Sequence, residues 1–155
     1  MAVIDRYASG YQDPAVKPAD PLPVETVRGT MKALVSTVEI TNGDSAASKQ
    51  YFGKVPSNAR LSKLSRLDHD AITGTTDYDL GGVNDPDALI DGADIALAGN
   101  KDAVGIVNIV NLHKPLWVLL GYTTDPGGEL AIFGTVKVAA TATGTVTLTL
   151  IFYLP

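Results

Sequence analysis

Residues 51–82, YFGKVPSNARLSKLSRLDHDAITGTTDYDLGG, hold the turns and the apolar spacing that decide the fold class. A first turn falls at 53–58, where Pro56 fixes φ and the following Ser and Asn bond to nearby backbone. A second falls at 73–76, Thr-Gly-Thr-Thr, and leads into Tyr78 and Leu80, which alternate with aspartates. Turns this close together leave room only for short elements.

Between the two turns, Leu61, Leu64 and Leu67 recur every third residue. This spacing suits one face of a helix, and it also suits a strand interrupted by a bulge. No capping box follows Ser57, and the segment ends in a turn followed by period-two alternation. The flanks therefore favour an interrupted strand.

The last thirty residues show the clearest alternation. One predicted strand places Leu130, Ile132, Gly134, Val136 and Val138 on its inner face, and the next places Val146, Leu148, Leu150, Phe152 and Leu154 there. Threonines occupy much of the opposite face of the second strand. Because residues 139–144 supply only a short connection, we predict that these two strands form an antiparallel hairpin.

The rest of residues 25–155 fits one β-rich domain. Residues 25–42 predict a strand with Leu34, Ser36, Val38 and Ile40 inward, residues 105–112 a strand or a short helix, and residues 114–121 a short helix between Pro115 and Gly121. About seven or eight strands result. We predict an all-β, antiparallel β-sandwich or jelly roll with one or two short helices.

Residues 1–24 form an extended, Pro-rich N-terminal arm in this division of the chain. Four prolines within residues 14–23 forbid a continuous helix and favour polyproline-like backbone. The arm is either a disordered tail or a segment that lies on a partner or another subunit. For the second case, the candidate interface residues are Ile4, Tyr7, Tyr11, Pro14, Val16, Pro18 and Leu22.

Composition excludes several classes of function. The chain of 155 residues has no cysteine, so it has no disulfide framework and no thiolate chemistry. Its net charge of −5 argues against nucleic-acid binding. It lacks a secretory signal and any apolar run long enough for a membrane helix. Eight carboxylates and no Lys or Arg lie between Leu67 and Asn100, which predicts a solvated acidic rim, a surface for a basic partner or a calcium-binding face.

No motif for catalysis, cofactor binding or metal binding is present. In Asp68-His69-Asp70, a strand would turn His69 away from both aspartates, so the three would be surface residues at a strand end. Asp77 and Asp79 share a strand face, without the spacing of an EF-hand. We therefore name no catalytic, cofactor-binding or metal residue. The residues alone leave a hydrolase with paired carboxylates as an alternative, since such a pair meets only in the fold.

Five phrases carry a resemblance to a known family: VPSNARLSKL, DHDAITGTTDYDLG, DPDALIDGADIA, LWVLLGYTTDPGGELAI and GTVTLTLIFY. In this order they resemble the head decoration (cement) proteins of tailed bacteriophages, built on a jelly-roll β-sandwich. The similarity covers about residues 35–153 and excludes the arm. Its motifs are structural rather than catalytic.

The resemblance implies a non-enzymatic virion protein on the outer surface of the capsid. Such proteins bind the major capsid protein as small homo-oligomers, a trimer being favoured over a dimer by family analogy, and they stabilise the shell. The competing hypothesis is a carbohydrate- or ligand-binding β-sandwich module, alone or within a phage fibre or spike. That function needs exposed aromatic residues along a groove, and only 6% of this chain is aromatic.

Overall fold

The computed structural model describes residues 30–155, which form nine β-strands, one 3₁₀ turn at Ile109–Asn111 and one short helix, α1, at Leu116–Leu119. The strands are β1 (Thr30–Ile40), β2 (Lys49–Pro56), β3 (Arg60–Leu61), β4 (Arg66–His69), β5 (Tyr78–Gly81), β6 (Ile90–Ala93), β7 (Gly99–Asp102), β8 (Glu129–Val136) and β9 (Gly144–Leu154). The predicted boundary of the arm at residue 24 lies outside the described residues.

The strands form two antiparallel sheets. Sheet A has the order β1-β9-β4-β7, with β3 also paired to β9, and sheet B has the order β2-β8-β5-β6. Within the sheets β1 pairs with β9, β2 with β8, β4 with β7, and β5 with β6, so the pairs are nested like one long hairpin. A long hairpin wound into two facing sheets is a jelly roll. The predicted all-β, antiparallel sandwich is therefore confirmed.

Nested pairing gives the sandwich two ends, which we call the Thr30 end and the Ile40 end after the limits of β1. Connections 57–59, 82–89 and 103–128 lie at the Thr30 end, and connections 41–48, 70–77, 94–98 and 137–143 lie at the Ile40 end. Connection 103–128 carries the 3₁₀ turn and α1. Loops of this length inside compact domains usually serve a function.

The inward faces predicted for the long strands are confirmed. In β9, Val146, Leu148, Leu150 and Phe152 are buried, and in β1 the alternate residues are the less exposed ones. Val138 is an exception, because it lies beyond the end of β8 and is 42% exposed. Phe133 points away from the core side of sheet B and is still fully buried. Two side chains lie against it. The centroid of the Tyr51 ring is 5.3 Å from that of Phe133, and the Lys49 Nζ atom is 4.6 Å from the Phe133 centroid.

The leucine-spaced stretch is an interrupted strand, as the flanks indicated. Leu61 in β3 and Leu67 in β4 are buried beside β9, whereas Leu64 is 66% exposed between them. At the interruption the Ser65 hydroxyl accepts a hydrogen bond from the Ile151 amide at 3.0 Å and donates to the Ser62 carbonyl at 2.7 Å. The Ser65 side chain thus accepts the backbone hydrogen bond of β9 that a neighbouring strand would otherwise accept.

The predicted hairpin between the last two strands is wrong, although both strands exist. β8 pairs with β2 and β5 in sheet B, whereas β9 pairs with β1, β3 and β4 in sheet A. The connection 137–143 crosses from one sheet to the other, and buried Ala140 lies within it. Alternation reports which face of a strand is buried and does not report which strand lies beside it.

The predicted short helix is confirmed as α1. Pro115 is its N-cap residue, and Gly121 has φ +76°, a left-handed conformation that follows the helix end. Residues 105–112 do not form a strand, and the alternative of a short helix is confirmed in part by the 3₁₀ turn at Ile109–Asn111. The Asn108 side chain accepts a hydrogen bond from the Val110 amide at 3.1 Å and caps this turn.

Tyr78 places a phenol in the core without a hydrogen-bond partner. Replacing it by phenylalanine should be neutral or slightly stabilising at pH 7, because no hydrogen bond is lost and a buried polar atom is removed.

The same replacement should change the response to alkali. Burial raises the pKa of the Tyr78 phenol well above its usual value. The protonated phenol makes its full contribution to the free energy of unfolding below the pKa of the unfolded chain, about 10. Above that pH the free energy of unfolding falls, by roughly 1.4 kcal/mol at pH 11, because only the unfolded chain ionises there. Urea unfolding at pH 8 and pH 11 should show a smaller alkaline loss for Tyr78→Phe. Equal losses in the two proteins would contradict this assignment.

Candidate functional site

The predicted interface residues of the arm, Ile4, Tyr7, Tyr11, Pro14, Val16, Pro18 and Leu22, lie outside the described residues. The surfaces of the sandwich itself can be compared with the other predictions.

The acidic stretch gathers in part around one lysine on sheet B. Lys137 Nζ lies 3.3 Å from an Asp79 carboxylate oxygen, and the Gly92 amide donates to the other oxygen of that side chain at 3.0 Å. The hydrogen bond to Asp79, together with the nearby charges of Asp79, Asp77 and Asp87, raises the pKa of Lys137. The Asp79 carboxylate is nearly buried, and both of its oxygens already have a partner, Lys137 for one and the Gly92 amide for the other.

A second acidic pair lies in the connection between β5 and β6. The Asp85 and Asp87 side chains are hydrogen-bonded to each other, which raises the pKa of Asp85 and lowers that of Asp87. Among residues 30–155, no group of three or more His, Asp or Glu side chains has the geometry to hold a metal ion. The calcium-binding interpretation of the acidic stretch therefore gains no support from this part of the chain.

The Asp68-His69-Asp70 triplet is divided between different partners, as strand geometry predicted. Asp68 is paired with Arg66, and Asp70 accepts hydrogen bonds from the Thr145 hydroxyl at 2.6 Å and its amide at 2.9 Å. These bonds lower the pKa of Asp70. His69 is not a surface residue, in contrast to the expectation, because it is only 7% exposed.

A shallow groove of about 190 Å³ adjoins His69 at the Ile40 end. Its other walls come from Asp94 and the segment 97–101. The His69 Nδ1 atom lies 3.1 Å from the Asp70 carbonyl oxygen, and Nε2 has no hydrogen-bond partner among the described atoms. The register places Gly99 opposite His69.

The Thr30 end carries an apolar patch that sequence reasoning missed. Ile106, Ile109 and Val110 are 52%, 74% and 65% exposed. Of these three, Ile106 lines a groove of about 260 Å³, here called the end groove, whose walls are Ala88, Ile106, Val107, Asn108, Asn111, Lys114, Val118 and Leu119. The available signal was the cluster of branched residues in 105–112 without helix or strand periodicity.

The outer face of sheet A is a second partly apolar surface. Met31 and Val35 of β1 are 60% and 64% exposed. Their neighbours across the β1–β9 ladder include Tyr153 beside Met31 and Thr149 beside Val35. Exposed apolar residues grouped in this way are typical of surfaces that contact another protein.

No described helix is long and apolar enough to cross a membrane. No protein-family model matches the chain, and no curated protein is significantly similar to it in sequence.

The fold is similar to that of chains in two solved structures. One is the Cyanophage Pam1 capsid asymmetric unit, with a TM-score of 0.58, 16% identity, and coverage of 93% of this chain and 95% of that chain. The other is the capsid of Ralstonia phage GP4, with a TM-score of 0.50, 15% identity, and coverage of 80% and 85%. At these identities the likeness establishes a common fold.

Proposed function

We propose that this chain is a structural protein of a bacteriophage virion, a cement protein that binds the outer surface of the capsid. The observation that carries the proposal is the jelly roll, which matches chains of two phage capsid structures over most of both lengths. The sequence phrases that resemble decoration proteins support the same class.

The extent of the match supports a role as a capsid subunit. Because 93% of this chain aligns with 95% of the Pam1 capsid chain, the two chains have similar lengths. The jelly roll of residues 30–155 makes up most of this chain. In the proposed role, the whole sandwich sits on the shell as one body and bridges neighbouring major capsid proteins.

The described surfaces fit this role better than they fit binding of a small ligand. The two grooves, of about 190 and 260 Å³, are smaller than typical small-molecule sites. Several exposed apolar residues lie instead on the broad face of sheet A, as Met31 and Val35 do, and at the Thr30 end, as Ile106, Ile109 and Val110 do. On an icosahedral shell each contact recurs by symmetry, so contacts that are weak singly act together.

A homo-oligomer, a trimer rather than a dimer, is the proposed solution state. Light scattering on the full chain and on a variant lacking residues 1–24 measures its mass. A stable trimer in both forms would mean that the sandwich mediates self-association and that the arm is available to bind the capsid. A trimer that becomes a monomer on truncation would mean that the arm holds the subunits together. A monomer in both forms would contradict the proposed oligomer.

Removing residues 1–24 should abolish retention on the capsid. The reason is that an apolar arm of this length reaches neighbouring subunits, since extended chain spans about 3.3 Å per residue. The assay is co-sedimentation with shells assembled from the major capsid protein of the same phage. The matched control is Leu97→Ser in the full chain, which alters an exposed apolar residue at the Ile40 end, outside the apolar surfaces described above, and keeps the arm. Unchanged retention of the truncated protein would exclude the arm as a shell contact.

A further inference from the structure

The end groove lies close to the point where the N-terminal segment enters the sandwich. Thr30 pairs with Leu154 at the end of β9, and Arg60 pairs with the preceding Tyr153. Ala59 directly precedes Arg60, and its carbonyl accepts a hydrogen bond at 2.7 Å from the Leu116 amide at the start of α1. Two strand spacings of about 4.8 Å and one hydrogen bond thus separate Thr30 from α1.

The groove has the size and chemistry to hold an extended peptide. Its walls are mixed: Ala88, Ile106, Val107, Val118 and Leu119 are apolar, and Asn108, Asn111 and Lys114 are polar or charged. Asn108 uses its side-chain oxygen on the Val110 amide, which leaves its amide nitrogen to donate to an incoming carbonyl. At about 260 Å³ the space suits a large side chain better than a free ligand.

Residues 14–23, PAVKPADPLP, have the matching character. Polyproline-type backbone makes no internal hydrogen bonds, so its carbonyls need outside donors such as asparagine side chains. Proline also lowers the entropy that is lost when such a segment is ordered. Leu22 stands between two prolines, and Asp20 is an acidic neighbour. Lys114 lines the groove and makes no ion pair among residues 30–155.

We propose that the Pro-rich segment 14–23 of the same chain docks in the end groove, with Leu22 as its apolar anchor beside Ile106. Leu22 is eight residues from Thr30, so extended backbone reaches about 26 Å, farther than the path described above. Docking of this segment would hold the apolar tip, residues 2–11, in a fixed direction for contact with a neighbour. The role of that tip rests on the proposed capsid function, whereas the docking itself does not.

The absence of native cysteine allows a direct test by cross-linking. A full-length variant with Pro21→Cys and Asn111→Cys, which keeps Leu22 and the apolar wall residues, should form an intramolecular disulfide under mild oxidation. The matched control is Pro21→Cys with Val35→Cys, because Val35 is exposed on β1 and does not line the groove. We expect the first pair to close at least about tenfold faster, the factor that burial of one large aliphatic side chain provides. Equal rates, or links only between different chains, would overturn the proposal.

Limited proteolysis provides a second measurement on the intact chain. Trypsin should cleave after Arg28 about tenfold faster in Ile106→Asp than in the unaltered protein, because the charge displaces the docked segment. Val35→Asp should leave the rate unchanged. An Ile106→Asp protein that folds and is cleaved at the unaltered rate would contradict docking. Both experiments use isolated protein, so their outcome is independent of whether the chain binds capsids.

Discussion

Replacing Gly134 by alanine is expected to destabilise the protein by about 3 kcal/mol or more. Gly134 lies in β8 between β2 and β5, and the Tyr78 phenol packs directly over it. An added Cβ would overlap the phenol oxygen and Cζ and would lie 2.9 Å from Cε1. Tyr78 is fully buried, so it cannot move aside into solvent. Urea unfolding of the two proteins measures the difference.

Two further variants identify the cause of that loss. Gly99→Ala is the matched strand control, because its Cβ would meet His69 at an ordinary 3.8 Å. Its expected cost is below about 1 kcal/mol. In a Tyr78→Leu background, Gly134→Ala should cost much less than in the unaltered protein, a coupling of roughly 2 kcal/mol. The same cost in both backgrounds would show that the Tyr78–Gly134 contact is not responsible.

Replacing Ser65 by alanine is the second large expected loss, about 1–3 kcal/mol. The Ser65 hydroxyl accepts the Ile151 amide hydrogen where β3 and β4 are interrupted. Ser65 is only 1% exposed, so without the hydroxyl water does not readily replace the bond. Equilibrium unfolding measures the loss, and hydrogen exchange at Ile151 should become faster.

Ser62→Ala is the matched control for this prediction. The Ser62 hydroxyl accepts only the Leu64 amide, at 3.2 Å, within the turn itself. Its removal should cost less than removal of the Ser65 hydroxyl. Equal losses for the two variants would mean that Ser65 does not complete the β9 ladder.

The fold class could be predicted because local patterns record burial. Alternation in β9 and β1 identified the inward faces, and Pro115 with Gly121 bounded α1 correctly. The interruption between Leu61 and Leu67 was also visible, as a strand with the wrong spacing for unbroken alternation.

Strand partners could not be predicted in the same way. β8 and β9 are neighbours in sequence, and each alone fits a hairpin, yet they belong to opposite sheets. The partner of β9 is β1, which lies more than a hundred residues earlier. Pairing at that separation depends on how the two sheets close around one core, and no local pattern carries this information.

The surfaces were harder to predict than the core. Ile106, Ile109 and Val110 resemble core residues in sequence, and only the path of connection 103–128 leaves them exposed. His69 shows the opposite error, because a polar residue between two aspartates is buried where β7 and the groove wall cover it. In both cases tertiary contacts decided exposure against local composition.

The most direct test of the proposed function is the disruption temperature of capsid shells with and without this protein. DNA-filled capsids of the same phage, made without this protein, are heated after incubation with purified full-length chain, and release of packaged DNA is followed by dye fluorescence. A cement protein should raise the disruption temperature and do so to a saturating value as its sites fill. An unchanged temperature at saturating protein would contradict the proposal that this jelly roll stabilises a capsid.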